Sequence, residues 1–261
     1  MDSQASGRQT CGTEDSSYCL SDDSTEDSKK NSLHPHQTAY WKIAPEHNAQ
    51  FVACMEDVLD VYKRPYDAKR PLVCMDESSQ QLIGEVRSPI GMRPGACKRV
   101  DDEYVRNGVA NIFLAIEPLT GQYCVELTEH RGRKDWAKFI QHIVDVKYAQ
   151  AEKVVLVMDN LNTHEVASLY EVFSPDEAHR IKEKLEIHYT PKHGSWLDIA
   201  EIGLSVLKAQ ALKDRIATLD EMKAKVAAWV KAYNGAAKKI NWQFTTEDAR
   251  VKLRRLYPEI N

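Results

Sequence analysis

Leu72-Val73-Cys74-Met75-Asp76 and Val154-Val155-Leu156-Val157-Met158-Asp159 are two short apolar runs, each closed by an aspartate. Runs of this length, rich in Val and Leu, read as strands of a sheet covered on both faces. A carboxylate at the last residue of such a strand lies at the sheet's carboxyl edge, where open α/β folds bind ligands. A third acid, Glu201, sits on a helical stretch that follows a third strand-like run, Leu185-Glu186-Ile187-His188-Tyr189. Two strand-end aspartates and one helix glutamate, brought together, make an oxygen-ligand site suited to a hard divalent cation.

Working outward, a helix is expected around Asn48 to Tyr62, where Phe51, Val52, Met55, Val58, Leu59 and Tyr62 recur at helical spacing. A first strand ends at Asp76 and a second covers Gln81 to Arg87. Ala110–Glu117 and Gln122–Thr128 flank a turn at Pro118-Leu119-Thr120-Gly121. Lys134–Tyr148 is amphipathic. Helices are expected at 165–173 and 175–185, then the Glu201 helix, then 219–233 and 246–256. The order is a three-stranded meander, helix, strand, helix, strand, helix, which predicts a mixed α/β sheet with helices on both faces.

The totals exclude several classes. No apolar run among the 261 residues approaches the roughly 20 needed to span a bilayer. No apolar leader opens the chain. Six scattered cysteines without a CxxC pair argue against a zinc site or disulfide framework, so a cytoplasmic location is the default. Charge is uneven. Residues 1–28 carry seven acids against one base, with seven serines, and are expected to be disordered. Residues 204–257 carry twelve Lys or Arg against five acids. That basic stretch suits a polyanion, or is a solvated helical face.

On the Glu201 helix, Leu197, Ala200, Leu204, Leu207 and Ala211 form an apolar stripe, and Glu201 falls at its edge beside Ser205 and Lys208. An acid there binds a metal or pairs with a base such as Lys208. Ser195 with Asp198 resembles a capping box. Other polar residues crowd the same motifs. Asn160, Asn162 and His164 can orient water or a phosphate oxygen, Lys192 and His193 can meet a phosphate backbone, and Trp196 can stack on a base. Each also has a structural reading: turn-forming asparagines, a capping serine, a core tryptophan, histidines making plain hydrogen bonds or ligating a metal.

Asp76-Glu77-Ser78, Met158-Asp159-Asn160-Leu161-Asn162-Thr163-His164, and Tyr189-Thr190-Pro191-Lys192-His193-Gly194-Ser195-Trp196-Leu197 leading to Glu201 resemble bacterial insertion-sequence transposases of the Tc/mariner superfamily, in its six-thirty group. The resemblance runs from about Leu33 to Tyr257. It implies a ribonuclease H-like fold and a DDE triad at Asp76, Asp159 and Glu201. It also implies two Mg²⁺ ions (Mn²⁺ substituting), DNA as partner at element ends and target, a homodimer on that DNA, and no membrane. Strand cleavage followed by 3′-OH strand transfer is the activity implied.

The expected organisation is a disordered segment at 1–28, a linker and helix at 29–65, a catalytic domain at 66–215 and a helical extension at 216–261. The sequence departs from the family pattern twice. The helix-turn-helix domains that read element ends have no counterpart here, and Asp198 stands where the family usually has Asn. The alternative to an active enzyme is a catalytically idle fragment that binds DNA or oligomerises. A general ribonuclease H-type nuclease is disfavoured by the Tyr189–Leu197 motif.

Overall fold

The apolar run at 72–75 opens a strand much longer than its hydrophobicity suggests. In the computed structural model, which describes residues 48–161 and 164–258, strand β1 spans Leu72–Glu85 without a break. The expectations for residues 1–28, for the linker as far as residue 47, and for Asn162 lie outside the described residues. β1 pairs antiparallel with β2 (Tyr104–Glu117) from Cys74↔Ile116 to Glu85↔Tyr104, with a register shift between Gln81 and Ile83. β3 (Gln122–Thr128) completes the meander.

The two strands expected at 72–76 and 81–87 are therefore one, and Asp76 lies inside it. Ser78-Ser79-Gln80-Gln81 interrupts the apolar pattern where β1 has passed the end of β4 and pairs with β2 alone. From Gln81 onward the strand faces Tyr104–Val109, which are all exposed. In this outer half Leu82 still reaches the α5-side core, while Gln81 and Glu85 are exposed.

Helix α1 (Ala49–Tyr62) precedes the sheet, capped by Asn48, whose side chain accepts from the Phe51 N–H. After β3 come α2 (Arg133–His142), a π turn at Ile143–Lys147, and β4 (Val154–Met158). The short α3 (Ala167–Tyr170) and α4 (Pro175–Glu183) lead to β5 (Leu185–Tyr189). A 3₁₀ turn at Ser195–Leu197 precedes α5 (Ile199–Ala211), followed by α6 (Leu219–Ala236) and α7 (Thr246–Lys252). β4 lies parallel to both β1 and β5, giving the five-stranded order β3-β2-β1-β4-β5. This is the mixed sheet expected from the sequence.

Two apolar layers sandwich that sheet. Cys74, Ile112, Leu114, Val155 and Val157 pack with α1, α5, α6 and α7 on one face. Val73, Met75, Phe113, Leu156 and Met158 pack with α2, α3 and α4 on the other. Strand alternation then assigns sides. Asp76 is opposite Leu114 and belongs to the α5 face; Glu77 is opposite Phe113 and belongs to the α2 face.

Candidate active site

The parallel ladder between β1 and β4 stops at Cys74↔Val157. Beyond that point β1 continues along β2, while β4 ends at Met158. A notch opens at the carboxyl end of β4, with Asp76 on one wall and Asp159 on the other. α5 closes it from above. Gly203 lets this helix approach the sheet closely: a Cβ there would come within 3.1 Å of Leu114 and Tyr123 side chains. Glu201, in the first turn of α5, is thereby carried to the same notch.

Asp76, Asp159, Asp198 and Glu201 all line one cavity of about 410 Å³, joined by Asn160, Leu161, Thr190, Pro191, Lys192, His193 and Ser195. The three acids singled out in the sequence thus converge. Glu201 makes no ion pair among the described residues; Lys208, its alternative partner, donates to the Ser78 hydroxyl instead. Asp76 likewise has no cationic partner among the described residues, and its Oδ1 accepts from the Glu77 N–H at 2.7 Å. Burial pushes its carboxyl up to about 7; the Glu77 N–H opposes the rise, and the charges of Glu77, Asp159 and Glu201 add to it.

Asp198 is buried at 3% exposure. It is the N-cap of α5, its Oδ1 accepting from the Ala200 N–H at 2.8 Å. The expected Ser195 cap is corrected accordingly: Ser195 opens the 3₁₀ turn, and the helix starts four residues later, at Ile199. Asp198 Oδ2 is buried without a hydrogen-bond partner. Burial, then the charges of Asp76, Glu201 and Asp159, push this carboxyl well above the usual range, against the Ala200 N–H.

A second cluster lies beneath Asp159. His164 Nδ1 is 2.6 Å from Asp159 Oδ1, and its Nε2 is 2.6 Å from Glu77 Oε2. Glu77, Asp159 and His164 thus offer ligand atoms within 4.8 Å of one another. Both ring nitrogens lie at ion-pairing distance from carboxylates, and the cluster reads as an imidazolium held between Glu77 and Asp159. Burial alone would lower the His164 pKa, but the contacts with Asp159 and Glu77 raise it to about 10.

The side chains read as DNA contacts divide. Asn160, Lys192 and His193 are exposed at the cavity. His193 is held at φ 66°, where His is tolerated better than most residues, in the tight turn Pro191–Gly194. A Cβ on Gly194 would meet the Pro191 carbonyl oxygen at 2.9 Å, so this turn requires glycine. His164 is corrected: at 1% exposure it cannot meet DNA, because the α2 face has enclosed it against Trp136. Trp196 is partly buried, its ring packing edge-on against Phe244 in the α5-side layer with its indole nitrogen buried, as the core reading of this residue expects.

The sequence reading missed Glu77 as a site residue. The available signal was strand alternation: next to Asp76, Glu77 must point to the opposite, apolar face, and a carboxylate there requires a partner. No spacing rule identified His164 as that partner.

Several solved structures share this fold. The Mos1 mariner paired end complex with Mn is 14% identical with a TM-score of 0.52, covering 84% of this chain and 66% of that one. The Mos1 transposase paired-end complex with left transposon end is 14% identical at 0.55, over 91% and 71% of the two chains. The Mos1 mariner paired end complex with Mg is 14% identical at 0.52, over 90% and 72%. The chain thus spans about two thirds of the length of the first of these. At such identity the likeness shows a common architecture, the ribonuclease H-like sheet of the transposase catalytic domain. No curated protein matches the chain. Across residues 71–223, more than half its length, the sequence matches the DDE superfamily endonucleases, and the chain belongs to that family.

Proposed function

We propose that this protein is a DDE transposase of the Tc/mariner superfamily, in its six-thirty group. It cleaves DNA strands at element ends and joins the freed 3′-OH to target DNA. The observation that carries the reading is the convergence of Asp76, Asp159 and Glu201, from two strands and a helix, on one cavity. The donor set is all oxygen, Asp76 and Glu201 have no cationic partner among the described residues, and burial and like charges push the Asp76 carboxyl up to about 7. Such a site suits Mg²⁺ or Mn²⁺.

Asp76, Asp159 and Glu201 are the ligands in this reading, holding two ions. When bound, a metal pair activates an attacking oxygen and neutralises the leaving one in phosphoryl transfer. The chain's own residues hold and orient the acids. Lys192 and His193 present exposed polar heads at the rim for the phosphate backbone, and Asn160 an amide for a water or phosphate oxygen. Residues 66–215 form the catalytic domain and 216–261 a helical extension. α6 and α7 of that extension share the apolar layer with α1 and α5. A homodimer on DNA and a cytoplasmic location complete the proposal. No helix among the described residues is long and apolar enough to cross a membrane.

The test is nicking of DNA carrying cognate element ends in Mg²⁺ or Mn²⁺, with native protein against Asp159→Asn. Loss of nicking in a folded Asp159→Asn protein supports the reading. Undiminished nicking removes the catalytic assignment. A native chain that binds DNA but never cuts it is the idle fragment instead.

A further inference from the structure

Asp159 stands one residue beyond the end of β4, where neither backbone ladder reaches it. Its carboxylate therefore needs another holder, and the structure supplies one. His164 Nδ1 lies 2.6 Å from Asp159 Oδ1, a buried oxygen with no hydrogen-bond partner among the described residues, and 3.3 Å from the Asp159 carbonyl oxygen. The side chain as a whole is 37% exposed, so Oδ2 is the oxygen left to face the cavity.

The imidazole is fixed in turn on every side. Its Nε2 meets Glu77 Oε2 at 2.6 Å, and Glu77 is 2% exposed at its side chain. Its ring stacks on Trp136 at 6.0 Å between centroids. The His164 N–H donates to Leu161 O at 2.9 Å, and its carbonyl accepts from Tyr189 Oη at 3.1 Å. A buried carboxylate set against a histidine, with Arg131 Nε 4.0 Å from its other oxygen, is a costly device, because each buried charge must be compensated.

We propose that Glu77 and His164 are positioning residues that act through Asp159. They lock one of its oxygens inward so that the other is presented to a divalent cation. The inference rests on Asp159 being a metal ligand. Groups behind a ligand that fix its orientation commonly change metal affinity by about 10–100-fold when removed.

The experiment is Mn²⁺ titration of the full chain by calorimetry, with circular dichroism to check folding of each variant. Five variants are compared with the native chain: Asp159→Asn, His164→Asn, Glu77→Gln, Glu77→Ala and the double variant His164→Asn/Glu77→Ala. The expected result is loss of binding in Asp159→Asn and about 10–100-fold weaker binding in His164→Asn. Glu77→Gln, which keeps an acceptor for Nε2, should lose less than Glu77→Ala. The double variant should be no weaker than His164→Asn alone, because the hold of Glu77 on Asp159 passes through the imidazole.

Affinity within twofold of native in His164→Asn, with Asp159→Asn impaired, overturns the proposal alone. Losses that multiply in the double variant overturn it too, since a general softening of the fold behaves that way. If His164→Asn does not fold, the Glu77 pair decides: equal, near-native affinity in both Glu77→Gln and Glu77→Ala overturns it. Unchanged Mn²⁺ binding in Asp159→Asn overturns the metal reading and this proposal with it.

Discussion

Asp76 and Asp159 stand level with each other across neighbouring parallel strands. The register Leu72↔Val155, Val73↔Leu156, Cys74↔Val157, carried two residues further, aligns them. Both line one cavity, and the charge of Asp159 is among those that raise the Asp76 carboxyl, so the two carboxylates oppose each other here. Their repulsion destabilises the metal-free fold. Asp76→Asn should therefore raise the metal-free melting temperature, by about 2–4 °C for each kcal/mol relieved, while abolishing metal-dependent nicking. A melting temperature that falls, with nicking retained, would contradict both parts.

Cation binding should depend on pH through Asp76. A carboxyl pushed up to about 7 carries a proton over much of the mildly acidic range, and a metal must displace it. Mn²⁺ affinity should thus be strong and level above about pH 7.5. It should then fall by up to about tenfold per unit as pH drops through 7 towards 5.5. Calorimetry in buffers of different ionisation enthalpy should also report proton release near pH 6.5. A flat affinity from pH 5.5 to 8 would show that Asp76 is not the proton's competitor.

Asp198→Asn should leave nicking intact or improve it. The amide keeps an oxygen to accept from Ala200 N–H, so the α5 cap survives. The substitution also removes a buried ionisable group. Because burial raises the Asp198 carboxyl above its unfolded value, the folded chain holds the proton more tightly. Ionisation of the unfolded chain then erodes stability as pH rises above about 3.9. Asp198→Asn should accordingly gain stability over native at pH 7–8, with the gain vanishing near pH 3.5. Asp198→Ala, which loses the cap, should cost about 1 kcal/mol relative to Asn at either pH. Equal stability of Asn and Ala variants would deny the capping role.

Much of this site was legible in the residues. The all-apolar runs before Asp76 and Asp159 are what a strand buried on both faces requires, and the stripe beside Glu201 oriented its helix. What remained hidden depends on where strands stop pairing. Asp76 was read as a strand end, yet its strand continues nine residues to Glu85; only its β4-side ladder ends nearby. Similarly, His164 and Trp196 carried polar chemistry in the right motifs, but exposure is a property of the packed layers. The helix expected at 165–173 shrinks to Ala167–Tyr170, with Ser168 and Leu169 buried.

Basic residues in the C-terminal part divide between structure and recognition. Arg250 grips Glu56 through two contacts at 2.8 and 2.9 Å, Arg215 reaches Glu85 at 2.7 Å, and Lys252 pairs with Asp248 at 3.0 Å. These bases hold the fold together and are partly neutralised already. Lys192 differs: it lies at the cavity rim, exposed, and makes no ion pair among the described residues. A phosphate contact by one lysine releases about one counterion, so its loss should flatten the salt dependence of DNA binding by about one in log–log slope. Lys192→Ala should therefore weaken DNA binding at low salt and converge on native at high salt, whereas Lys252→Ala should leave the slope unchanged. Fluorescence anisotropy across 50–300 mM salt measures both. An unaltered slope in Lys192→Ala would remove this lysine from the DNA path and return the rim to solvent.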